Sequence, residues 1–401
     1  MAWLDALRGF AALAVFFEHS LQPLLPEVRL PVKTHFEPGW FGVMVFFLVS
    51  GYIVPASLER KGHLPTFLVS RFLRLYPLFF VAAAGMAVLV ALGWTDPHIW
   101  WRSRAQSLVL GHLTMLQNLL NMPNWINVLW TLSYEMAFYL LLVAMFTLGV
   151  NRRGTISALA FAAAAVLGAA ILPVALLSAG GSGRMLTVTP AVTVLVAAGL
   201  AAVLRGSGLI RQAGALVIGG TVLVLLAVNQ SYPGPWQGLL ILATMSSGTV
   251  LYRAERGEIS RREAAWVALV PLAGIWLARD ELGLQTALVA AWITFLAGLA
   301  LRHRRMPRAL AWLGLVSYSI YLLHPLLLES VEWFWPEPLL VPVPLRLAVL
   351  ACVAALLLGL SALTWNFVEA PAQRLGRRIA ARFILGRLEP GRNETVRYAD
   401  H

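Results

Sequence analysis

Residues 3–21 read Trp3-Leu4-Asp5-Ala6-Leu7-Arg8-Gly9-Phe10-Ala11-Ala12-Leu13-Ala14-Val15-Phe16-Phe17-Glu18-His19-Ser20-Leu21. This is an apolar run long enough to cross a membrane, with an arginine near one end and a histidine near the other. At about 100° and 1.5 Å per residue, Arg8 and His19 return to nearly the same side of one helix but stand about 16 Å apart. Ionisable groups at membrane depth ordinarily face a cavity or a partner, so this stripe points inward.

Runs of the same kind recur along the chain. Of its 401 residues 59% are hydrophobic and only 12% are charged, and the mean hydropathy is +0.74. Soluble domains carry about 25% charged residues, so the composition excludes one and predicts an all-α, polytopic membrane bundle. Twelve hydrophobic segments are legible, at 3–21, 40–58, 72–93, 127–149, 155–178, 187–204, 209–228, 236–252, 264–278, 285–301, 310–330 and 345–368, which sets the expectation at about 10–12 transmembrane helices. The membrane domain is expected to span 1–371, followed by a basic cytoplasmic tail, 372–401.

Orientation follows from arginine and lysine. Arg60, Lys61, Arg71 and Arg74 follow the second segment, Arg152 and Arg153 the fourth, Arg205 and Arg211 the sixth, Arg253, Arg256, Arg261 and Arg262 the eighth, and Arg302, Arg304, Arg305 and Arg308 the tenth. The alternate loops are poorer: 229–235 has no charge, and 331–344 has only Glu332 and Glu337. The positive-inside rule then puts both termini in the cytoplasm. The net charge of +12 reads as topology signal and contact with anionic lipid headgroups, with no call for nucleic acid. Cys352 is the only cysteine, so no internal disulfide or cysteine metal site is available.

Two stretches do not read as spans. Residues 22–39, with Pro23, Pro26, Pro31 and Pro38, read as an irregular outer loop. Residues 94–126 hold Trp94, Trp100, Trp101 and Trp125 and an apolar piece from Ala105 to Leu120, expected as an interfacial helix with its aromatic belt.

With depth assigned from topology, the unusual polar residues fall into two layers. The outer layer holds His19, Glu135 of Trp130-Thr131-Leu132-Ser133-Tyr134-Glu135, and His324 of Ser317-Tyr318-Ser319-Ile320-Tyr321-Leu322-Leu323-His324-Pro325. The cytoplasmic layer holds Arg8, then Arg71 and Arg74 leading into the third helix, then Glu369 and Arg374. Clustered guanidinium groups suit a polyanion, because they bind phosphate bidentately. Structural readings stand beside these: Asp5 pairing with Arg8 within helix 1, and Ser50 with Gly51 permitting close helix packing. A proton-relay transporter would also account for His19, Glu135 and His324, but not for the arginines before helix 3.

Taken together, Leu-Asp-Ala-Leu-Arg8 with His19, Phe-Phe-Leu-Val-Ser50-Gly-Tyr, Arg71-Phe-Leu-Arg74-Leu-Tyr-Pro, Trp-Thr-Leu-Ser133-Tyr-Glu135, Ser317-Tyr318 through His324 and Asn366-Phe-Val-Glu369-Ala-Pro resemble the membrane-bound acyltransferase 3 family, in the family's order across residues 4–371. One departure is Ser70 before Arg71, where the family often has a second arginine. The resemblance implies about ten helices with cytoplasmic termini in the bacterial cytoplasmic (inner) membrane. It also implies transfer of an acyl group, usually acetyl from acetyl-CoA, to a sugar hydroxyl of lipopolysaccharide, exopolysaccharide or another glycan, and in some members of a macrolide or other small molecule. Carried over by position, Arg8 and His19 are the essential pair, Arg71 and Arg74 the basic motif, and Glu135, Ser317, Tyr318 and His324 the later motif residues. The resulting expectation has CoA docked at the arginines as cosubstrate, with no bound cofactor and no metal. His19 acts as general base, Glu135 orients His19 or holds the acceptor, and His324 or Tyr318 stabilises the oxyanion.

Overall fold

A computed structural model describes residues 2–95, 105–168, 171–178, 182–230, 232–278 and 281–388. Trp100, Trp101 and the tail beyond Leu388 lie outside them. The described residues are helices joined by turns, with no strand among them, and the chain is a polytopic helical membrane bundle.

Each of the twelve apolar segments holds a helix. The first is α1 (Ala2–Leu24), followed by a short α2 (Pro26–His35), α3 (Pro38–Lys61), α4 (Leu64–Ala91) and the short α5 (Ala105–Leu113). Then come α6 (Trp130–Thr147), α7 (Gly154–Gly168), α8 (Ser182–Arg205), α9 (Gly208–Val228), α10 (Pro235–Glu255), α11 (Arg261–Ala278) and α12 (Leu282–Ala300). The chain closes with α13 (Arg308–Leu315), α14 (Ser317–Phe334), α15 (Val343–Thr364) and α16 (Ala370–Leu388). Among the described residues, seven helices are long and apolar enough to span on those grounds alone, or eight with α13 and α14 taken as one span bent by 66°. Helix α1 falls short of that test because Asp5, Arg8, Glu18 and His19 interrupt it, and α7 because it has 15 residues. Leu209 and Ile171, 83% and 77% exposed, are side chains of the kind that lipid covers.

Several local expectations change. Residues 22–39 are not an irregular loop: α2 occupies ten of them. Pro26 and Pro38 stand in the first turns of α2 and α3, where the missing N–H costs nothing. The third helix starts eight residues before 72, because His63 caps it by accepting the Thr66 N–H. Arg71 and Arg74 therefore lie inside a helix rather than ahead of one. The interfacial helix stops at Leu113. The basic segment after 371 is helical to Leu388 and packs on α4, with Gly376 against Leu73.

The site rests on two close helix crossings. A Cβ at Gly51 of α3 would fall 1.9 Å from the Met245 carbonyl oxygen of α10, and one at Gly248 would fall 2.5 Å from that of Leu48. Only glycines permit the approach, which Thr249 Oγ1 seals by donating to the Gly51 carbonyl at 2.9 Å. Ser50, the neighbour of Gly51, is thereby fixed toward the interior. At Gly314 a Cβ would fall 1.9 Å from the Asp5 carbonyl oxygen, so α13 lies hard against the first turns of α1. The bend that follows sends α14 along α1 and places its motif beside His19.

Candidate active site

Two hollows lie along α1. The inner one is lined by Arg8, Arg74, Glu135 and Ser50, by Tyr318, and by an apolar wall that includes Phe46, Leu75 and Tyr321. Arg8 faces Arg74 as a like charge and Asp5, Glu135 and Glu369 as opposite ones. Two guanidinium groups are thus balanced by three carboxylates drawn from α1, α6 and the turn before α16. Glu369 is buried and accepts a hydrogen bond from Ser319 Oγ at 2.5 Å. Glu135 accepts one from the Tyr139 hydroxyl.

Arg71 and Arg74 do different things. Arg74 lines the cavity, whereas the Arg71 guanidinium lies 5.6 Å from the ring centres of both Phe67 and Tyr139, a cation–π seat behind the cavity wall. At the departure from the family pattern, Ser70 Oγ donates to the Phe67 carbonyl at 2.7 Å, within its own helix.

The outer, larger hollow is lined by His19, Glu18, Gln22, Arg29 and Lys33 on one side and by Asn127, Tyr232, Glu329 and Glu332 on the other. His19 Nδ1 is 2.7 Å from Nε2 of the fully buried His324. The His324 Nδ1 lies 3.0 Å from the Ile320 carbonyl oxygen and also interacts with the Tyr321 carbonyl. Proline at 325 leaves that second carbonyl without its helical donor. A carbonyl only accepts, so His324 Nδ1 carries the proton and its neutral Nε2 accepts. His19 Nδ1–H must then donate, which leaves the lone pair of His19 on Nε2. The relay from Ile320 through His324 thus selects one tautomer of the half-buried His19.

Between the hollows stand aromatic rings. Phe46 and Tyr321, both on the inner cavity wall, meet edge to face at 5.7 Å, and Tyr321 is 6.0 Å from the His324 ring. Tyr321 Oη is held 2.8 Å from Thr131 Oγ1 and donates to the Val128 carbonyl at 3.1 Å. The inner cavity therefore ends one ring away from the histidine pair.

The expected site residues separate accordingly. Glu135 is not in the outer layer with the histidines; it shares the inner cavity with Arg8 and Arg74, so it is not placed to orient His19. The charged neighbours of His19 are Glu18, Lys33 and Arg29 instead. The two expected oxyanion donors have committed their protons: Tyr318 Oη donates to the Leu75 carbonyl at 2.9 Å, and His324 to that of Ile320. Ser317 Oγ donates to the Gly314 carbonyl at 2.9 Å, holding the α13–α14 bend, and Ser133 accepts the Asn118 N–H at 3.2 Å. Sequence reasoning passed over Glu18, although it adjoins His19. Its carboxylate is 3.2 Å from Lys33 Nζ and accepts the Gly39 N–H at the positive end of α3, tying α2 and α3 to α1.

A family-wide sequence pattern described as an acyltransferase domain matches residues 1–365, which takes in both hollows and leaves out Glu369. The chain belongs to the acyltransferase 3 family. This member of the family is similar to a protein of Acidianus two-tailed virus named as an acetyltransferase, with 29% identity over 147 residues, 37% of this chain and 41% of the relative. It is 34% identical to acyltransferase MdmB of Streptomyces mycarofaciens over 144 residues, 34% of this chain and 37% of the relative. With Nodulation protein 10 of Rhizobium leguminosarum bv. viciae it shares 31% over 154 residues, 34% of this chain and 42% of the relative. The chain thus spans about two fifths of the length of these curated relatives. No solved structure matches it.

Proposed function

We propose that this acyltransferase moves an acetyl group from cytoplasmic acetyl-CoA to a sugar hydroxyl of a cell-surface polysaccharide or glycolipid, at the bacterial cytoplasmic membrane, with His19 as general base. The observation that carries the reading is the contact of His19 Nδ1 with His324 Nε2, from which the tautomer of His19 follows. Its lone pair is on the nitrogen not used by His324, and the ring lines the outer cleft.

In this reading the phosphates of CoA meet the arginine-rich inner side. The pantetheine arm enters the cavity below Arg8 and Arg74, bringing the thioester toward the rings of Phe46 and Tyr321. The acceptor occupies the outer cleft, whose carboxylates, amides and Arg29 match a hydroxyl-rich ligand. His19 Nε2 takes the hydroxyl proton as the oxygen attacks the thioester carbonyl. Collapse of the tetrahedral intermediate breaks the carbon–sulfur bond, and the imidazolium returns the proton to the departing thiolate, giving the O-acetyl ester and free CoA. Glu18 places negative charge beside the ring while it is cationic. The viral relative's name supports the choice of acetyl.

The test uses the purified protein in detergent, without a transmembrane gradient, given labelled acetyl-CoA and surface glycans extracted from cells that lack this protein. Label appearing as a base-labile ester on the glycan is the expected result. Label remaining in acetyl-CoA, with glycans from deletion and wild-type cells equally acetylated by mass spectrometry, contradicts it.

A further inference from the structure

Away from both hollows, the cytoplasmic ends of α10, α11 and α12 diverge around an open groove. Its walls are Ala264 and Ala268 of α11, Leu296 and Leu299 of α12, and Leu251 and Ala254 of α10. Arg261, Arg302 and Glu255 stand at its rim. From Arg261 to Ala268 a helix descends about 10 Å, so the groove runs from the charged surface well into the hydrocarbon depth. At that depth the available filler is acyl chain, and an unfilled apolar wall would forfeit its dispersion contacts.

The rim chooses the headgroup. Glu255 is already satisfied, since Arg302 Nε lies 2.7 Å from its carboxylate and the Tyr52 hydroxyl donates to it. Arg261 is exposed and forms no ion pair among the described residues. Arg262, Arg304 and Arg305 add positive charge in the adjoining turns. The geometry points to a binding site for one diacyl phospholipid of the inner leaflet with an anionic headgroup, its chains in the alanine-lined groove and its phosphate between Arg261 and Arg302. The site adjoins the base of the catalytic helix, because Tyr52 packs edge to face on Trp3 of α1 at 5.6 Å.

The test is native mass spectrometry of the full chain in mild detergent, equilibrated with equal amounts of phosphatidylglycerol and phosphatidylcholine. One phosphatidylglycerol is expected to be retained over phosphatidylcholine by about fivefold. Arg261→Gln should bring the two lipids to parity. Ala265→Phe, at an exposed groove position, should lower retention of both, and thermal melting of each variant will verify that it is folded. Equal retention by the unaltered protein, or phosphatidylglycerol retention unmoved by both substitutions, overturns the assignment. So does loss of acetyl-CoA binding in folded Ala265→Phe, which would make the groove part of the donor site.

Discussion

The inner cavity is the smaller hollow and mostly apolar, with its charges gathered at Arg8, Arg74 and Glu135; the outer cleft is larger and ringed by polar and charged groups. An apolar cavity with charges at one point suits a thin, mostly uncharged arm ending in phosphates. A wide polar bowl suits a hydroxylated ring. The contrast teaches that, in the proposed reading, donor and acceptor meet different materials, with the histidine pair one ring away from the inner cavity. The inner arginines are partnered by carboxylates, so donor phosphates would have to compete with Asp5, Glu135 and Glu369. Among the described residues, no hydrogen bond engages the lone pair of His19.

The largest expected effect tests the boundary. His19→Ala should lower the turnover number by about 10²–10⁴-fold, the usual worth of a general base, with little change in donor affinity. Next comes the inner cavity: Arg74→Ala should weaken acetyl-CoA by about 10–100-fold through loss of charge-assisted hydrogen bonds. Arg71→Ala, whose cation sits on two rings behind the wall, should have a smaller effect on the donor KM. Equal effects of the two arginines would erase the distinction drawn between them. His324→Gln should lower turnover by about tenfold while both substrates still bind, and should displace the pH–rate profile; an unmoved profile would leave His324 with packing alone.

The smallest effect concerns the support of the outer side. His112, in the short helix α5, donates from Nδ1 to the Leu108 carbonyl at 2.8 Å and accepts the Trp125 N–H on Nε2 at 3.0 Å. Burial lowers its pKa to about 4. The unfolded chain takes up this proton near the ordinary value of about 6.5. Between these values the unfolded state holds more protons, so stability falls as the pH drops through that window, by up to about 1.4 kcal/mol per unit. Melting temperatures of the unaltered protein and His112→Gln across that range should converge toward the acid end; parallel curves would remove His112 from the account.

Much of this was legible in the residues. Every apolar segment marks a helix, because about twenty hydrophobic residues in lipid have few alternatives. The pairing of His19 with His324 was anticipated only as a shared depth, since hydropathy fixes level along the membrane normal but not direction around a helix. The same blindness misplaced Glu135: its level was estimated from where α6 begins, while its neighbours depend on how α6 turns against α4. Arg71 and Arg74 were read together because both lead into the third apolar segment, but they stand three residues apart, nearly one turn. The remaining 60° sends one to the cavity and the other to Phe67 and Tyr139. Glu18 was passed over because its partners, Lys33 and Gly39, lie in a stretch whose prolines read as irregular, though two of them open helices.

The division of labour along α1 is tested most directly by equilibrium binding of labelled acetyl-CoA to purified Arg8→Ala and His19→Ala, alongside their rates of acetyl transfer. The expected result is that Arg8→Ala binds donor at least about tenfold more weakly, while His19→Ala binds it normally and turns over about 10²–10⁴-fold more slowly. Normal donor binding by Arg8→Ala, or donor binding lost in His19→Ala, would contradict the placement of donor and base at opposite ends of one helix.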